Sequence, residues 1–285
     1  EPKDPTPEPP LADIVTRYPL LAGGPGQLVA NGRDAETYAL IVEQGYNYET
    51  PDYSGSHSSD PFRHITQQWD EAIQRQVFAF HMHAKIDDDR GKSDVTDRQR
   101  NEIKTDNKSP EEMLAREGET LEMRWKFRLP EGFKTTTKFC HIHQLKGIDN
   151  AEGTADVSLP MITFTPRSKS NKQVFQVIFV PPVEQDPGNQ YLAEVNLKDF
   201  LGEWVMVTER VTFAQKGHYE LSIVRMSDDK ELVRVKDSGR CFWRTGTPAL
   251  RPKWGLYRSV GDNGSLRSSL RDEVLLFADF EIVKL

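Results

Sequence analysis

The chain contains 285 residues, of which 36% are hydrophobic and 28% charged, and its formal net charge is −7. This composition predicts a soluble globular protein that is long enough for a sizeable core. No apolar run approaches the roughly 18–20 residues that span a membrane, and the acidic balance argues against nucleic acid as the main partner. We therefore expect no membrane span and no nucleic-acid binding, although a local basic cleft is compatible with a negative net charge.

The chain opens with EPKDPTPEPP, a segment rich in proline and acidic residues. Such a composition favours an extended polyproline conformation. We predict an N-terminal tether over residues 1–12 and a single folded domain over residues 13–285. A start at Glu1 without a signal peptide suits a mature secreted protein, so we expect a secreted, extracellular monomer.

The first part of the domain is predicted to be rich in loops. Residues 11–60 contain clusters of Gly, Pro, Asn and Ser, which favour turns. Residues 34–44 form either one short helix or a strand, and residues 62–65 are predicted to form the first strand.

Residues 76–86 alternate between apolar and polar side chains, as a half-buried strand does. Phe78 and Phe80 share the apolar face, and His81 and His83 share the other. We expect these two histidines to lie on the surface or on the wall of a cleft.

Local signals predict a turn and a helix in the next part of the chain. Residues 87–89 are three aspartates, which form a solvated acidic turn or, alternatively, a structural calcium loop. A helix is predicted over residues 109–117, with Ser109 as N-cap, Pro110 at the first helical position and Gly118 as terminator.

Strands dominate the rest of the chain. They are separated by clusters of Gly, Pro, Asn and Asp and show no alternation with helices, so we predict an all-β fold, an antiparallel jelly roll or a concanavalin-like sandwich with one or two short helices. The predicted strands are residues 100–104, 121–129, 135–145, 161–165, 174–180, 204–213, 219–226, 231–235, 253–259 and 274–284.

Two cysteines, Cys140 and Cys241, are present. They are either two buried thiols or one disulfide. No zinc-type spacing of Cys and His is present, and we expect no metal or cofactor beyond the calcium alternative.

Three short strands carry an unusual polar face. Side chains two residues apart share one face of a strand, so each of these strands is expected to show Arg, Lys, His or Tyr on one face and apolar residues on the other. If the strands are neighbours in one sheet, they form a cationic surface suited to an anionic polymer. The residues of this face are Arg100, Glu102 and Lys104 in the first strand, His141 and His143 in the second, and Lys253, Gly255 and Tyr257 in the third.

The three strands resemble the signature motifs of alginate-lyase-type jelly-roll polysaccharide lyases, family seven and its heparin, glucuronan and ulvan lyase-like relatives. The family motif Arg-x-Glu-Leu-Arg corresponds to residues 100–104, Gln-Ile-His to residues 141–143, and Lys-Ala-Gly-Val-Tyr to residues 253–257. The resemblance covers about residues 62–285. His141 replaces the family glutamine and Lys104 replaces the second arginine, which removes bidentate recognition there.

The resemblance implies β-elimination on a uronic-acid polymer, such as alginate, glucuronan, ulvan or a glycosaminoglycan. Such a reaction needs a cation near the substrate carboxylate, a base for the C5 proton and an acid for the leaving oxygen. It implies Arg100 for the first role, His143 for the base and Tyr257 for the acid, with Tyr257 serving as both in a syn elimination. The residues implied in substrate binding are Glu102, Lys104, His141, Gln144 and Lys253.

Each of these residues also has an ordinary structural interpretation. The charged residues could form a solvated strand face, Tyr257 could be a packed aromatic, and the two histidines could be satisfied in a sheet or bind a metal, although no third ligand is evident. A non-catalytic carbohydrate-binding module would need a stacking platform of tryptophans, and a sandwich-fold glycoside hydrolase would need paired carboxylates on one strand. The candidates are Trp69, Trp204, Trp243 and Trp254 for the platform, and Asp279 and Glu281 for the carboxylates.

Overall fold

A computed structural model describes residues 11–54, 57, 59–185 and 188–285. Residues 1–10 of the predicted tether lie outside this part of the chain, and helix α1 (Leu11–Arg17) begins within the last two residues of the tether. The segment for which helix and strand were both open forms a turn of 3-10 helix (Asp34–Glu36) followed by helix α2 (Thr37–Glu43).

Fifteen strands are present in the described part of the chain. They are β1 (Gln27–Leu28), β2 (Asn47–Glu49), β3 (Ile65–Asp70), β4 (Arg75–Met82), β5 (Arg98–Lys104), β6 (Thr120–Arg128), β7 (Cys140–Gly147), β8 (Ile162–Lys169), β9 (Lys172–Phe179), β10 (Gln190–Asn196), β11 (Trp204–Thr212), β12 (Gly217–Arg225), β13 (Glu231–Arg240), β14 (Leu250–Ser259) and β15 (Glu273–Lys284).

The strands form two sheets. Sheet A has the order β13-β12-β11-β6-β15-β4-β3, with β1 paired to β15, and sheet B has the order β10-β9-β8-β7-β14-β5-β2. Neighbouring strands pair antiparallel throughout. The predicted all-β sandwich of jelly-roll type is confirmed.

The main apolar core lies between the sheets. On β6, Leu121, Met123, Trp125 and Phe127 are all buried, as the alternation of that strand predicts. The Trp125 ring packs edge-on against Trp254 of sheet B, with ring centroids 5.5 Å apart. Each large apolar side chain buried in this way stabilises the fold by roughly 1.5–3 kcal/mol.

The prediction of a helix over residues 109–117 is wrong. Only Glu111–Met113 form a single turn of 3-10 helix. The Ser109 hydroxyl, expected to cap the helix, donates instead to a backbone carbonyl just before β2 at 2.6 Å. Ala115 exchanges backbone hydrogen bonds with Leu250 of β14, so pairing with a distant strand overrides the local helix signals.

The position of the first strand and the exposure of two of the three aspartates also differ from the predictions. The first strand after the loop region is β3 rather than residues 62–65, and β1, β2 and β10 were not predicted. Asp87 and Asp89 are buried rather than solvated: an Asp87 carboxylate oxygen lies 3.0 Å from Nε2 of His64, and Asp89 accepts a hydrogen bond from Arg100.

Cys140 and Cys241 are buried free thiols, which decides between the two alternatives for the cysteines. Burial raises the pKa of Cys140 to about 12.

Within the described residues, no helix combines the length and apolar character required to cross a bilayer.

Candidate active site

The three strands of the polar motifs are neighbours in sheet B, in the order β7-β14-β5. Except for His143, their predicted site residues lie on the face turned away from sheet A, called here the outer face. The register sets these pairs opposite one another: Arg100 and Tyr257, Glu102 and Gly255, Lys104 and Lys253 across β5 and β14, and Gln144 and Lys253, His141 and Tyr257 across β7 and β14.

Gly255 lets β14 lie close against β5. Its φ of +143° is unfavourable for other residues, and a Cβ atom there would lie 2.1 Å from the Asn101 carbonyl oxygen. The register between β14 and β7 also shifts between Trp254 and Tyr257. Gly255 therefore sits at a local irregularity that sets the spacing of the site strands.

The same irregularity places His143 on the inner face of the sheet. His143 pairs with Trp254, which is buried in the core, whereas His141 pairs with Tyr257. The prediction that the two histidines share a face is wrong, because the bulge breaks the period-two alternation on which it rested.

His143 is fully buried and has partners for both ring nitrogens. Its Nε2 lies 2.8 Å from a carboxylate oxygen of Glu209 on β11, and its Nδ1 lies 2.9 Å from the backbone oxygen of Lys253. Glu209 also accepts a 2.7 Å hydrogen bond from the Tyr219 hydroxyl. The proposed role of His143 as a base that contacts substrate is therefore contradicted, and His143 bridges the two sheets instead.

His141 is the histidine on the outer face. Its ring lies beside Tyr257, with centroids 6.0 Å apart, and its Nδ1 is 2.8 Å from the Thr165 hydroxyl. Burial, helped by the charges of Arg167 and Arg100 and opposed by Glu102, lowers the pKa of His141 to about 3. The imidazole is therefore neutral near pH 7.

Tyr257 is flanked by two guanidinium groups. Arg98 donates a 2.8 Å hydrogen bond to the Tyr257 phenol oxygen, and Arg100 lies over the Tyr257 ring. Asp97 holds Arg98 with two hydrogen bonds of 2.7 and 2.8 Å. Positive charge therefore lies against both the phenol oxygen and the ring of Tyr257.

Sequence reasoning missed Arg98, although a signal for it was present. Arg98 continues the period-two series of Arg100, Glu102 and Lys104 by one more step toward the N-terminus of β5. The predicted strand began two residues too late to include it.

Arg100 is held by two carboxylates. Its Nε donates to Asp89 and its Nη1 to Glu102, each at 2.8 Å. Burial opposes the charge of Arg100, but Glu102 and Asp89 outweigh it and raise its pKa. Burial likewise opposes the charge of Glu102, and Lys253 together with Arg100 lowers its pKa.

Glu49 on β2 neutralises part of the predicted cationic surface. It accepts hydrogen bonds from Lys104 at 2.9 Å and from Lys253 at 2.6 Å. Burial would raise the pKa of Glu49, yet the charges of Lys253, Lys104 and Arg100 lower it well below its usual range. The sequence carried no signal for this contact. β2 has only three residues, and Glu49 lies 51 residues before Arg100 in the chain.

Two further cations, Lys146 and Arg251, lie beside the ion-paired residues of the outer face. Within the described residues, no ion pair to either of them is found. Arg251 pairs with Lys146 across β14 and β7, so their side chains share the outer face with Gln144 and Lys253. Burial, followed by the charges of Lys253, Arg100 and Arg251, lowers the pKa of Lys146 to about 8. Positive charge thus exceeds negative charge on this face, despite the carboxylates within it.

The residues expected for rival functions are placed elsewhere. Trp204, Trp243 and Trp254 are buried, so they offer no stacking platform, and Trp69 alone of the candidate tryptophans is exposed. Asp279 is buried on sheet A in ion pairs with Arg75 and Lys126, so it is not a free acid for hydrolysis.

No family model matches the chain, and no curated protein matches its sequence. Among solved structures, an endo-β-1,4-glucuronan lyase from the fungus Trichoderma reesei has a TM-score of 0.51 and 13% identity, covering 84% of this chain and 94% of the lyase. A variant of alginate lyase A1-II′ gives a TM-score of 0.54 at 12% identity, covering 88% and 98% of the two chains. Alginate lyase Aly36B gives 0.51 at 12% identity, covering 92% and 98%.

The chain has the jelly-roll fold of these polysaccharide lyases. The fold expected from the three motifs is thereby confirmed over 84–92% of the chain. Within this fold, the outer face of sheet B brings together a neutral imidazole and a phenol in contact with two guanidinium groups, one of which is held by two carboxylates. These groups are suited to proton transfer beside a bound anion.

Proposed function

We propose that the protein is a polysaccharide lyase that cleaves a uronate-containing anionic polysaccharide by β-elimination. One observation carries the proposal: His141 and Tyr257 lie side by side on the outer face of sheet B, with Arg98 and Arg100 against the phenol. A non-catalytic sugar-binding surface has no need of this combination.

Arg100 is assigned to the substrate carboxylate. The C5 proton of a uronate becomes acidic only when the charge of the neighbouring carboxylate is neutralised. Asp89 and Glu102 occupy Nε and Nη1 of Arg100, and no hydrogen bond to Nη2 is found among the described residues. Glu102 therefore orients Arg100, and Nη2 is the donor left for substrate, next to the Gln144 side chain that Glu102 also holds.

His141 takes the role of base that the motif resemblance assigned to His143. When Nδ1 of His141 donates to the Thr165 hydroxyl, Nε2 carries the lone pair that can accept the C5 proton. Its lowered pKa keeps this lone pair available near neutral pH.

Tyr257 is assigned as the acid that protonates the leaving oxygen. In a syn elimination the phenolate form of Tyr257 removes the C5 proton and returns it to the leaving oxygen, with Arg98 at the phenol oxygen and Arg100 over the ring. His141 then positions the sugar rather than accepting its proton.

Neighbouring uronates are expected to bind the cations along the outer face. Lys146 and Arg251 extend the positive surface beyond Lys253 and Lys104, whose charges Glu49 partly offsets. Because polymers of this kind occur outside cells, we retain an extracellular location as part of the proposal.

The deciding experiment is a screen of alginate, glucuronan, ulvan and glycosaminoglycans for the ultraviolet absorbance of an unsaturated uronate product. We expect absorbance to rise with at least one polymer, and not with the same polymer after reduction of its carboxyl groups. New reducing ends without that absorbance would indicate a hydrolase, and binding without cleavage would indicate a carbohydrate-binding module.

A further inference from the structure

A second cluster of polar side chains lies away from the outer face, at the end of β4. It is formed by His57 and His64 from the loop before β3, His83 just after β4, and Asp87. Each residue offers one ligand atom, and these atoms all lie within 4.8 Å of one another. We propose that His57, His64, His83 and Asp87 bind one divalent transition-metal ion, and that zinc fits their chemistry best.

The distances among three of the ligand atoms, those of His64, His83 and Asp87, match a tetrahedral ion, and His57 lies within 4.8 Å of them. Zinc binds nitrogen and oxygen at about 2.0–2.1 Å, so ligand atoms on a tetrahedron are about 3.3 Å apart. His64 Nε2 lies 3.0 Å from Asp87 Oδ2 and 3.2 Å from His83 Nδ1. His83 Nδ1 lies 3.2 Å from Asp87 Oδ2, and His57 Nε2 lies 3.5 Å from Asp87 Oδ1.

The hydrogen-bond pattern of His64 directs its Nε2 into the cluster. His64 Nδ1 lies 3.0 Å from Asp52 Oδ1 and 2.8 Å from the Phe62 carbonyl oxygen. Both are acceptors, so Nδ1 carries a hydrogen, and Nε2 is the ring nitrogen that is left to bind an ion beside the Asp87 carboxylate.

His57 supplies an independent observation. Its Nε2 is buried and has no hydrogen-bond partner, although it points toward Asp87. A proton on His64 would satisfy the contact between His64 and Asp87 but would leave His57 Nε2 unpaired. A metal ion satisfies both.

The residues around the cluster are arranged as they are around protein-bound metal ions. Asp52 orients His64 through Nδ1, an arrangement typical of the second shell of zinc-bound histidines, and Tyr38 in turn donates to Asp52 at 2.6 Å. The Phe62 ring packs against His64 and His83, with centroids 4.8 Å away in each case. Four protein ligands leave no open position, so the site is structural rather than catalytic.

The ion would anchor the segment that holds Arg100. The backbone oxygen of Asp88 accepts from the Arg100 amide at 3.1 Å, and Asp89 holds the Arg100 side chain. Gln99 donates to the backbone oxygens of His83 and Asp87, each at 2.8 Å. Sequence spacing did not reveal this site, because the ligands come from separate segments.

The test measures metal content, which does not depend on any enzymatic activity. Chelator-treated protein is titrated with Zn²⁺ by calorimetry, and bound zinc is measured by elemental analysis after dialysis. We expect one equivalent in the wild type and in His218→Ala, whose imidazole pairs with Glu220 on the surface. His57→Ala removes a ligand with no hydrogen bond to lose, so it should fold normally and bind zinc at least 10-fold more weakly.

Two further readouts make the outcome decisive. Zn²⁺ should raise the Tm of the wild type and of His218→Ala, but should raise that of His57→Ala much less. Replacement by Co²⁺ should give the intense visible absorption of a tetrahedral site. Absence of bound zinc and of a Tm shift in folded wild type, or equal zinc affinity in His57→Ala, would overturn the proposal and leave a hydrogen-bonded His–Asp network.

Discussion

Arg100 lies over the ring of Tyr257, with its guanidinium carbon 3.8 Å from the ring centroid. This cation–π contact joins β5 to β14 directly across their register pair. It fixes the ring plane of Tyr257 while Arg98 fixes the phenol oxygen. The two residues that the sequence assigned to charge neutralisation and proton donation are therefore in contact in the folded chain.

Tyr257→Phe keeps the ring under Arg100 and removes only the hydroxyl. We expect elimination activity to fall by at least ~100-fold, the usual effect of removing a positioned proton-transfer group, with little change in Tm. Tyr191→Phe, at an exposed tyrosine of β10, is the matched control and should retain full activity. Full activity in a folded Tyr257→Phe would contradict the proposed mechanism.

The two histidines of β7 should fail in different ways. His141→Ala should lose activity, by ~100-fold if His141 is the base, and remain folded. His143→Ala leaves a cavity and an unpaired Glu209, so it should lose about 3 kcal/mol of stability. Urea unfolding and kinetics of both variants separate these effects. The reverse pattern would restore His143 as the base.

Arg98 should matter to the chemical step. Arg98→Met removes the donor to the phenol oxygen but keeps an unbranched side chain, and we expect kcat to fall by ~100-fold with a smaller change in KM. Arg234→Met, at an exposed arginine of β13, controls for loss of a surface charge. A change in KM alone would show that Arg98 binds substrate and does not assist proton transfer.

Stability should depend on His141 below neutral pH. The pKa of His141 is about 3 in the folded protein and about 6.5 when solvated. Between these values the unfolded chain binds a proton that the folded protein does not, so stability falls as pH falls through this window. His141→Gln should reduce the loss of stability between pH ~7.5 and pH ~4.5 in urea titrations; an unchanged pH dependence would contradict the assigned environment.

Glu49 should weaken the binding of a polyanion. Glu49→Gln releases the charges of Lys104 and Lys253, so affinity at low ionic strength should rise by about 5-fold. Added salt should weaken binding in both proteins, and more steeply in the variant. Glu111→Gln, at an exposed glutamate paired with Arg116, is the control. Affinity that is independent of salt would exclude recognition by charge.

Much of the sheet architecture could be predicted from alternation, because a half-buried strand imposes period two on the sequence. β6 and β4 are examples, and so is the grouping of Arg100, Glu102 and Tyr257 on one face. Alternation fails where the backbone departs from regular pairing, and the register shift opposite Gly255 is what turned His143 inward. Gly255 inside a predicted strand is a local signal for a bulge, but it does not indicate which side chains of the neighbouring strand change face.

Contacts between distant segments could not be predicted either. Glu49 and Asp89 complete the site from a short edge strand and a buried turn, and neither carries a motif. The apparent helix near Ser109 shows the same limit in reverse, since strong local signals lose to pairing of Ala115 with β14.

The buried thiol of Cys140 provides a built-in reporter of strand opening. Cys140 begins β7, one residue before His141, and its raised pKa keeps it as an unreactive thiol while that strand is packed. A thiol reagent can therefore modify it only when β7 separates from its neighbours, so the labelling rate in the native state measures how often the strand carrying His141 and Gln144 detaches. Because no disulfide joins Cys140 to Cys241, the protein can be produced and refolded under reducing conditions without loss of a covalent crosslink.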